Sequence, residues 1–386
     1  MTTLLIDASH FMHRIARAAE AVRAGHGEKF DFRGDPAADR LAFLDRAVDS
    51  ICSEWRKGRF DRIVYCMDSF SWRKEVFDGY KAGRKRDSEI DWKSLMEVHE
   101  EFARSLGKTG VTISKQRGAE ADDLVYAWVT HLNGWGDRDC VILSGDGDLS
   151  QLVGRDRSNG HWTVQVDRNK KVAFVPVGHA RWMQEEPAGG VDIFNLPTRS
   201  DGREFLAEYL RGMETVEIDP TRYVFCKILT GDSGDSIPSV HSVPKSTKAG
   251  DRVYGFTLTM AHRVLSAIED DHMMVNQLDF FSDDFIKRVC ELAAAEASER
   301  LSPVTSESIE ELWRRNRDLV FLHRSCILPS VCEAMEAECA IPAQAVHEIS
   351  PPVLFDFLGM GGPPPEASKE PPAGSFDSGK WKNMLG

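Results

Sequence analysis

Three apolar runs of the sequence each end in aspartate. "LLID" ends at Asp7, "RIVYCMD" ends at Asp68, and "CVILSGDGD" leads into Asp146 and Asp148. Fully apolar runs of this length are typical of strands buried on both faces of a parallel sheet. Between them lie helical patterns such as "LAFLDRAVDSICSEW", with apolar residues at 41, 44, 48, 51 and 55. The alternation predicts an α/β fold in which helices flank a parallel sheet.

Acidic residues are expected to collect at one edge of this sheet, because parallel strands end on the same side and ligands bind there. The segment "GAEADDLVYAWVTHL" adds Glu120, Asp122 and Asp123 in the first turn of a helix with apolar positions 124, 125, 128, 129 and 132. Acids in a first turn also complement the helix dipole, which is the simpler explanation of that group taken alone. Farther along, "GDSGDS" places Asp232 and Asp235 near the end of an apolar helix.

Convergent carboxylates would repel each other unless cations lay between them. Oxygen ligands without histidine or cysteine favour Mg²⁺ or Mn²⁺ over zinc. Two such ions about 4 Å apart can stabilise the attacking and leaving oxygens of a phosphodiester. For any single aspartate a solvated loop position is the simpler interpretation, but for all of them together it requires many coincidences. The candidate metal ligands are Asp7, Asp68, Glu120, Asp122, Asp123, Asp146, Asp148, Asp232 and Asp235.

A basic segment lies between the second and third acidic groups. From Trp72 to Arg86 it has six basic and two acidic residues, with Phe77 and Tyr80 among them. Basic residues interleaved with aromatic ones predict contacts to phosphates and stacking on unpaired bases. A solvated basic face is the alternative interpretation. A nucleic-acid partner is only weakly opposed by the net charge of −13, because the acids can belong to the metals and the bases to the strand.

The ordered motifs "LLID", "CMDS", "EADD", "SGDGD" and "GDSGDSIP" resemble those of the 5′-nuclease (flap endonuclease) superfamily. The likeness is greatest to its branch of T-even phage ribonucleases H, 5′-to-3′ exonucleases that remove RNA primers. The resemblance implies a PIN-like fold, two Mg²⁺ ions (with Mn²⁺ as a substitute), and an arch over about residues 71–93 through which a 5′ single strand passes. Implied substrates are DNA and RNA–DNA hybrids with 5′ single-stranded ends.

Individual roles also follow from the resemblance. Six acids would surround the first ion: Asp7, Asp68, Glu120, Asp122, Asp146 and Asp148. Asp123, Asp232 and Asp235 would serve the second ion. The implied catalytic residues are Lys81, Arg84, Asp146 and Asp148, with the two basic side chains on the scissile phosphate. The predicted nucleic-acid contacts are Arg73, Lys74, Tyr80, Lys81, Arg84, Lys85, Arg86, Lys245 and Lys248.

The sequence departs from the family pattern in the second lobe. Ser236 takes the place of an asparagine, and "VHSVPKSTKAGDR" lacks a Gly-x-Gly turn, so a potassium-assisted duplex clamp is not expected. Two other functions compete with the nuclease. A haloacid-dehalogenase phosphatase, another metal-dependent phosphoryl hydrolase, needs an aspartate where Ser9 stands. A scaffold that binds branched DNA without cutting it has no use for this many acids.

The predicted organisation has four parts. Residues 1–177 form the α/β nuclease domain, with a hairpin around Arg168-Asn169; residues 178–220 form an irregular connection; and residues 221–340 form a smaller helical DNA-binding lobe. Eight of the 17 prolines lie in residues 341–386, which predicts a disordered C-terminal tail.

Within that tail, "PPVLFDFLGM" predicts a partner-binding peptide with contacts through Leu354, Phe355, Phe357 and Leu358. It resembles the peptides by which phage proteins hold a sliding clamp, and packing onto the protein's own surface is the alternative. A single-stranded-DNA-binding protein is a second candidate partner. No apolar run approaches the roughly 20 residues that span a bilayer, and the amino terminus does not read as a signal peptide. We therefore expect a cytoplasmic protein, in a host bacterium if it is phage-encoded, with no membrane partner.

Overall fold

The computed structural model describes residues 2–58, 60–84, 90–134, 138–155, 161–178, 200–247, 250–270, 275–342, 346 and 349–360. The chain divides into two compact units. Among the described residues, the first unit comprises those within 2–70, 90–217 and 333–360, and the second comprises those within 71–84 and 218–332. Residues 71–84 thus belong to the second unit, whereas the sequence predicted the whole arch as part of the nuclease domain. No helix of the described residues is long and apolar enough to cross a membrane.

The first unit is built on a mixed sheet. Its strands are β1 (Thr2–Asp7), β2 (Arg62–Cys66), β3 (Thr112–Ser114), β4 (Asp139–Leu143), β5 (Gly154–Arg155), β6 (Trp162–Asp167), β7 (Val172–Pro176) and β8 (Glu214–Ile218). The order is β3-β2-β1-β4-β6-β7-β8, with β5 beside β6. The neighbours from β3 to β6 are parallel, and β7 and β5 run antiparallel to β6. The predicted α/β fold and the β6–β7 hairpin are confirmed.

Register explains why the acids meet. Asp7 is level with Cys66 of β2, and Ile6 is level with Leu143 of β4. The three apolar strands therefore end side by side, and the residues that follow each of them leave the sheet at one edge. All six residues of β1 and all five residues of β2 and of β4 are buried, as expected for a parallel sheet with helices on both faces.

Helices flank this sheet. They are α1 (Ala8–Gly25), α2 (Pro36–Gly58), α4 (Trp92–Gly107), α5 (Ala121–Gly134), α6 (Ser200–Tyr209) and α12 (Pro351–Phe357). The short α3 (Arg73–Val76) belongs to the second unit, and α11 (Pro329–Cys339) spans the boundary at residue 332. In α5 the five predicted apolar positions are all buried. In α2 the buried stripe includes Phe43 and Ala47, whereas Leu41 is 46% exposed.

The second unit is mainly helical. It contains α7 (Pro220–Thr230), α8 (Leu258–Asp270), α9 (Asp283–Arg300), α10 (Ser306–Val320) and a hairpin of β9 (Ser242–Thr247) and β10 (Gly250–Gly255). An aromatic cluster fills its core, with Phe225, Phe280, Trp313 and Phe321 in contact. Asp219 caps α7 by accepting the Thr221 and Arg222 N–H groups, next to Pro220 in the first turn, which is the arrangement expected of a helix start.

Two predictions about the chain's organisation are wrong. Residues 200–218 form α6 and β8 rather than an irregular connection. Tyr209 is 3% exposed and its hydroxyl donates to Glu54 at 2.6 Å; Glu54 also forms two 2.9 Å bonds with Arg168. This buried ion pair ties α6 to α2 and to the β6–β7 turn, and residues 179–199 lie outside the described residues.

The predicted docking peptide is the second correction. Residues 351–357 form α12, and Leu354, Phe355 and Leu358 are 0%, 1% and 7% exposed in the core of the first unit. Phe357 is partly buried, and the Lys108 ammonium lies 5.4 Å from its ring centroid. These apolar side chains are buried on α2 and α4 of the same chain, because burial removes them from water. They are not an exposed clamp-binding motif in this structure. Residues 361–386 lie outside the described residues.

Candidate metal centre

Three carboxylates meet at the edge where the parallel strands end. Asp7 is the last residue of β1, Asp122 lies in the first turn of α5, and Asp146 follows β4. One oxygen from each lies within 4.8 Å of the others. Three elements far apart in sequence thus present hard oxygen donors to one point, as binding of a divalent cation requires.

Ser144 contacts two of these three residues. Its hydroxyl donates to Asp7 Oδ2 at 2.8 Å and accepts the backbone N–H of Asp146 at 3.0 Å. The other oxygen of Asp7 accepts the His10 N–H at 3.0 Å, which caps α1. Ser144 is 1% exposed. It therefore orients the Asp7 carboxylate directly and fixes the backbone at Asp146.

The electrostatics of Asp7 also favour a cation. Burial, reinforced by the charges of Asp68 and Asp146, raises the pKa of Asp7 to about 7. A carboxyl group in this state is costly to ionise without a positive charge nearby. A bound divalent ion would supply that charge, and its ligands Asp7, Asp122 and Asp146 carry no nitrogen or sulfur donor. These residues fit Mg²⁺ or Mn²⁺.

The other predicted ligands of the first unit have distinct surroundings. Asp68 is exposed; it accepts the Ala121 N–H at 2.6 Å and the hydroxyl of Ser9. Asp123 is 0% exposed and accepts the Glu120 N–H at 3.0 Å. That bond caps α5, so Asp123 is a helix cap and does not join the three convergent carboxylates. Glu120 is likewise buried at this helix start.

Asp148 lies one residue beyond Gly147. Its N–H donates to Asp146 Oδ1 at 3.0 Å, which caps a 3₁₀ turn over Gly147–Leu152. The turn is short, because the chain enters β5 at Gly154. The turn fixes the spacing between the two aspartates of the "SGDGD" motif.

Asp232 and Asp235 lie in a closed loop of the second unit. Asp232 and Ile237 exchange two backbone hydrogen bonds of 2.8 Å, and Asp232 Oδ1 accepts the Gly234 N–H at 2.8 Å. Gly231 enters the loop at φ +69°, where an added Cβ would lie 2.4 Å from the Ile237 carbonyl oxygen. Only glycine fits there. Lys227 pairs with Asp232 at 2.8 Å and lowers its pKa against the effect of burial.

The predicted catalytic cations lie beside the same loop. Arg84 pairs with Asp235, and the Lys81 ammonium lies 3.9 Å from the other carboxylate oxygen. Lys81 also lies 4.8 Å from the centroid of the Tyr80 ring. These contacts group Lys81, Arg84 and Asp235 within the second unit.

Two predicted nucleic-acid contacts are contradicted. Arg73 is 3% exposed, and its guanidinium donates to the Leu319 carbonyl at 2.8 Å. Tyr80 is 4% exposed and Trp72 is 1% exposed, so neither ring offers a face to a base. These side chains pack into the second unit, because large aromatic rings gain more from burial than from exposure. Lys74 is exposed. Lys85, Arg86 and Lys248 lie outside the described residues, as does the side chain of Lys245.

Several known proteins are similar to this chain in sequence. Residues 2–177 match the family model of the 5′-3′ exonuclease N-terminal, resolvase-like domain. This match covers a little under half of the chain and makes residues 2–177 similar to that family. Flap endonuclease Xni of Shewanella woodyi is 27% identical over 253 residues, which is 64% of this chain and 75% of Xni. DNA polymerase I of Lactococcus lactis is 24% identical over 190 residues, which is 48% of this chain and 17% of the polymerase.

Among solved structures, the T5 D15 protein co-crystallised with metal ions covers 93% of this chain and 97% of its own, with a TM-score of 0.48 and 15% identity. The predicted resemblance to the 5′-nuclease superfamily is confirmed over residues 2–177 by the family match, and the predicted enzyme class, a metal-dependent nuclease, is confirmed by that match and by the Xni relative. The acidic cluster of this chain lies at the carboxyl ends of β1 and β4.

Sequence reasoning missed the polar residues that contact the candidate metal ligands. Ser144 was not singled out, nor was His10, whose ring nitrogen Nε2 lies 3.2 Å from the Gly145 N–H donor. Burial lowers the pKa of His10. A side chain on Gly145 would collide with His10 and with Asp167, at 2.6 Å from each. Their position in the sequence could have identified them, because Ser144 and His10 each lie within three residues of a predicted ligand.

Proposed function

We propose that this 5′ nuclease is a Mg²⁺-dependent flap endonuclease and 5′-to-3′ exonuclease that removes RNA primers and 5′ flaps during DNA replication in the cytoplasm. The observation that carries the proposal is the convergence of Asp7, Asp122 and Asp146 at the strand ends. The flap activity is supported by the likeness to Xni. Primer removal is supported by the resemblance of the motifs to the T-even phage ribonucleases H.

Different residues of the chain would bind the ions, contact the phosphate and align the ligands. Asp7, Asp122 and Asp146 would hold the first ion, and Asp232 and Asp235 are the proposed ligands of a second. When bound, such ions lower the pKa of water and stabilise charge on a phosphodiester. Lys81 and Arg84 would exchange their contact with Asp235 for the scissile phosphate and stabilise its negative charge as the bond breaks. Ser144 would keep the ligands aligned before substrate arrives.

Cleavage of a 5′-labelled flap duplex tests the proposal. Wild-type protein with Mg²⁺ should release short 5′ fragments, and EDTA should abolish the release. Asp146→Asn should lose cleavage and retain binding to the flap, because one ligand is removed without disturbing the lobe that carries Lys81. Asp49→Asn, an exposed residue of α2, is the matched control and should cleave normally. Equal cleavage by Asp146→Asn would refute the metal site.

The same assay separates the alternatives. A primer arm compares flaps with a 5′ RNA segment against all-DNA flaps, and a preference for RNA would support primer removal. Tight binding without cutting under any divalent ion would favour the branched-DNA scaffold. A single-stranded-DNA-binding protein is the partner proposed from the resemblance, and stimulation of flap cleavage by such a protein tests it.

A further inference from the structure

A contact within the second unit joins the end of the basic segment to the acidic loop. The Gly83 N–H donates to Ser236 Oγ at 2.9 Å, and the Lys81 N–H donates to the Asp235 carbonyl at 2.7 Å. Arg84 Nε adds a bond of 3.2 Å to the Gly234 carbonyl. Three consecutive loop residues thus receive donors from the segment that carries both proposed catalytic cations.

Both partners are anchored on their other side. The loop is closed between Asp232 and Ile237, and the fully buried Asn316 donates to the Pro238 carbonyl at 2.9 Å. The segment is fixed by the buried Trp72 and by the bond from Arg73 to Leu319. The loop and the segment are therefore each held by other residues of the second unit. Residues 81–84 of the segment contact the loop.

The backbone at the contact is unusual. Lys81 and Ser236 both have positive φ, at +57° and +61°, although neither is glycine. Non-glycine residues occupy this region rarely and at a cost, and they tend to do so at functional sites where the surroundings enforce it. Here the enforcing bonds are those of the contact itself. An added Cβ on Gly83 would lie 3.0 Å from Ser236 Oγ, so the approach is also close.

We infer that Ser236 is a positioning residue for the nuclease reaction: its hydroxyl fixes Gly83, and thereby holds Lys81 and Arg84 beside Asp235. This inference rests on the proposed function for its effect on cleavage, but the hydrogen bond itself does not. The serine supplies a side-chain oxygen acceptor at a position with positive φ.

Three substitutions separate the hydrogen bond from the backbone conformation. Ser236→Ala removes the acceptor and leaves the φ cost nearly unchanged. Ser236→Gly removes the acceptor and relieves the φ cost. Ser236→Asn restores an acceptor in a residue that tolerates positive φ. Ser239→Ala is the matched control, because it removes a serine oxygen that accepts another backbone N–H of the same unit, that of Phe256 at 3.1 Å.

The first readout is hydrogen exchange of the full-length protein without metal or DNA, resolved to Gly83 by fragmentation in the mass spectrometer. Loss of one hydrogen bond worth about 1 kcal/mol should speed exchange of this amide by roughly fivefold in Ser236→Ala and Ser236→Gly. Ser236→Asn and Ser239→Ala should match wild type at Gly83. Unchanged exchange in Ser236→Ala would overturn the inference, whether or not the protein cuts DNA.

The second readout is steady-state cleavage of the flap. If the hydroxyl positions the cations, kcat should fall by roughly fivefold in Ser236→Ala and Ser236→Gly with KM little changed, and Ser236→Asn should recover. Full activity in Ser236→Gly beside low activity in Ser236→Ala would assign the effect to backbone strain and overturn the inference. Fast exchange with normal cleavage would overturn it as well. If wild type does not cut at all, the proposed function fails, and exchange alone decides whether Ser236 holds Gly83.

Discussion

Replacing Asp7 by asparagine should stabilise the metal-free protein at neutral pH. The pKa of Asp7 is raised from 3.8 to about 7, first by burial and then by the charges of Asp68 and Asp146. Each unit of pKa difference between folded and unfolded states is worth about 1.4 kcal/mol, so ionising Asp7 costs the folded state at most about 4 kcal/mol. Asparagine is nearly isosteric and carries no charge. Its oxygen can still accept the His10 N–H, whereas its NH2 group replaces the oxygen that accepts the Ser144 hydroxyl, which offsets part of the gain.

The sign of the pH dependence follows from the same shift. Below the unfolded pKa of Asp7 both states are protonated, and the cost is absent. As pH rises toward 7 the unfolded state releases its proton first, so the free energy of unfolding falls, and it levels off above the folded pKa. In Asp7→Asn this fall should be missing. The expected gain over wild type is therefore near zero at about pH 4 and about 2 to 4 kcal/mol at about pH 8.

Urea denaturation in EDTA at the two pH values measures the difference, and Mg²⁺ provides a second arm. Mg²⁺ should stabilise wild type by mass action at about pH 8 and should do little for Asp7→Asn. Asp139→Asn is the control. The Asp139 carboxylate is also buried, but it contacts His161 Nδ1 at 3.0 Å and accepts the Trp162 N–H at 3.2 Å. Replacing it by an amide should therefore destabilise the protein. If Asp7→Asn is less stable than wild type at about pH 8 in EDTA, the reasoning about uncompensated charge is wrong.

Three further changes test other parts of the structure. Gly231→Ala should abolish cleavage and destabilise the protein by more than about 2 kcal/mol, measured by urea denaturation, because its Cβ would meet the Ile237 carbonyl oxygen at 2.4 Å. Leu354→Ala should lower the free energy of unfolding by about 2 to 4 kcal/mol in the same measurement. Asp356→Ala, on the exposed side of the same helix, should lower it little. Equal stability of the two variants would support the prediction that Leu354 docks on a partner. Tyr209→Phe should cost about 1 to 2 kcal/mol by leaving the buried Glu54 short of a donor, and an unchanged midpoint would argue against that role.

The sheet was predictable because its signal is local. Apolar runs that end in aspartate at 7, 68 and 146 identify the strands, and parallel pairing then forces the acids to one edge. The helix at Ala121–Gly134 has an uninterrupted apolar face and was predicted in full. In each of these segments the pattern in the sequence and the burial in the structure arise from the same cause, because most residues buried between two layers are apolar.

The errors share a different cause. Leu354 and Phe355 were taken as exposed because they lie in a proline-rich segment, but their partners are on α2 and α4, some three hundred residues away in sequence. Trp72, Arg73 and Tyr80 were assigned to nucleic acid because basic and aromatic residues alternate there. Composition does not distinguish an aromatic ring that stacks on a base from one that packs against its own protein. Only long-range contacts decide between them.

The sequence alone does not distinguish these acidic residues from one another. The structure does, because the charged groups around each carboxylate differ. Asp7 is buried with other carboxylates, so its charge is opposed until a cation binds. Asp123 is buried with a backbone N–H and serves its own helix. Asp235 already has Lys81 and Arg84 beside it, so an ion or a phosphate must compete for those partners. A carboxylate with a resident cation gains less from a metal than one surrounded by acids, since part of the Coulomb energy is already present. Residue type therefore identifies candidate ligands, whereas the charges around each carboxylate determine how much of its binding energy remains for the ion.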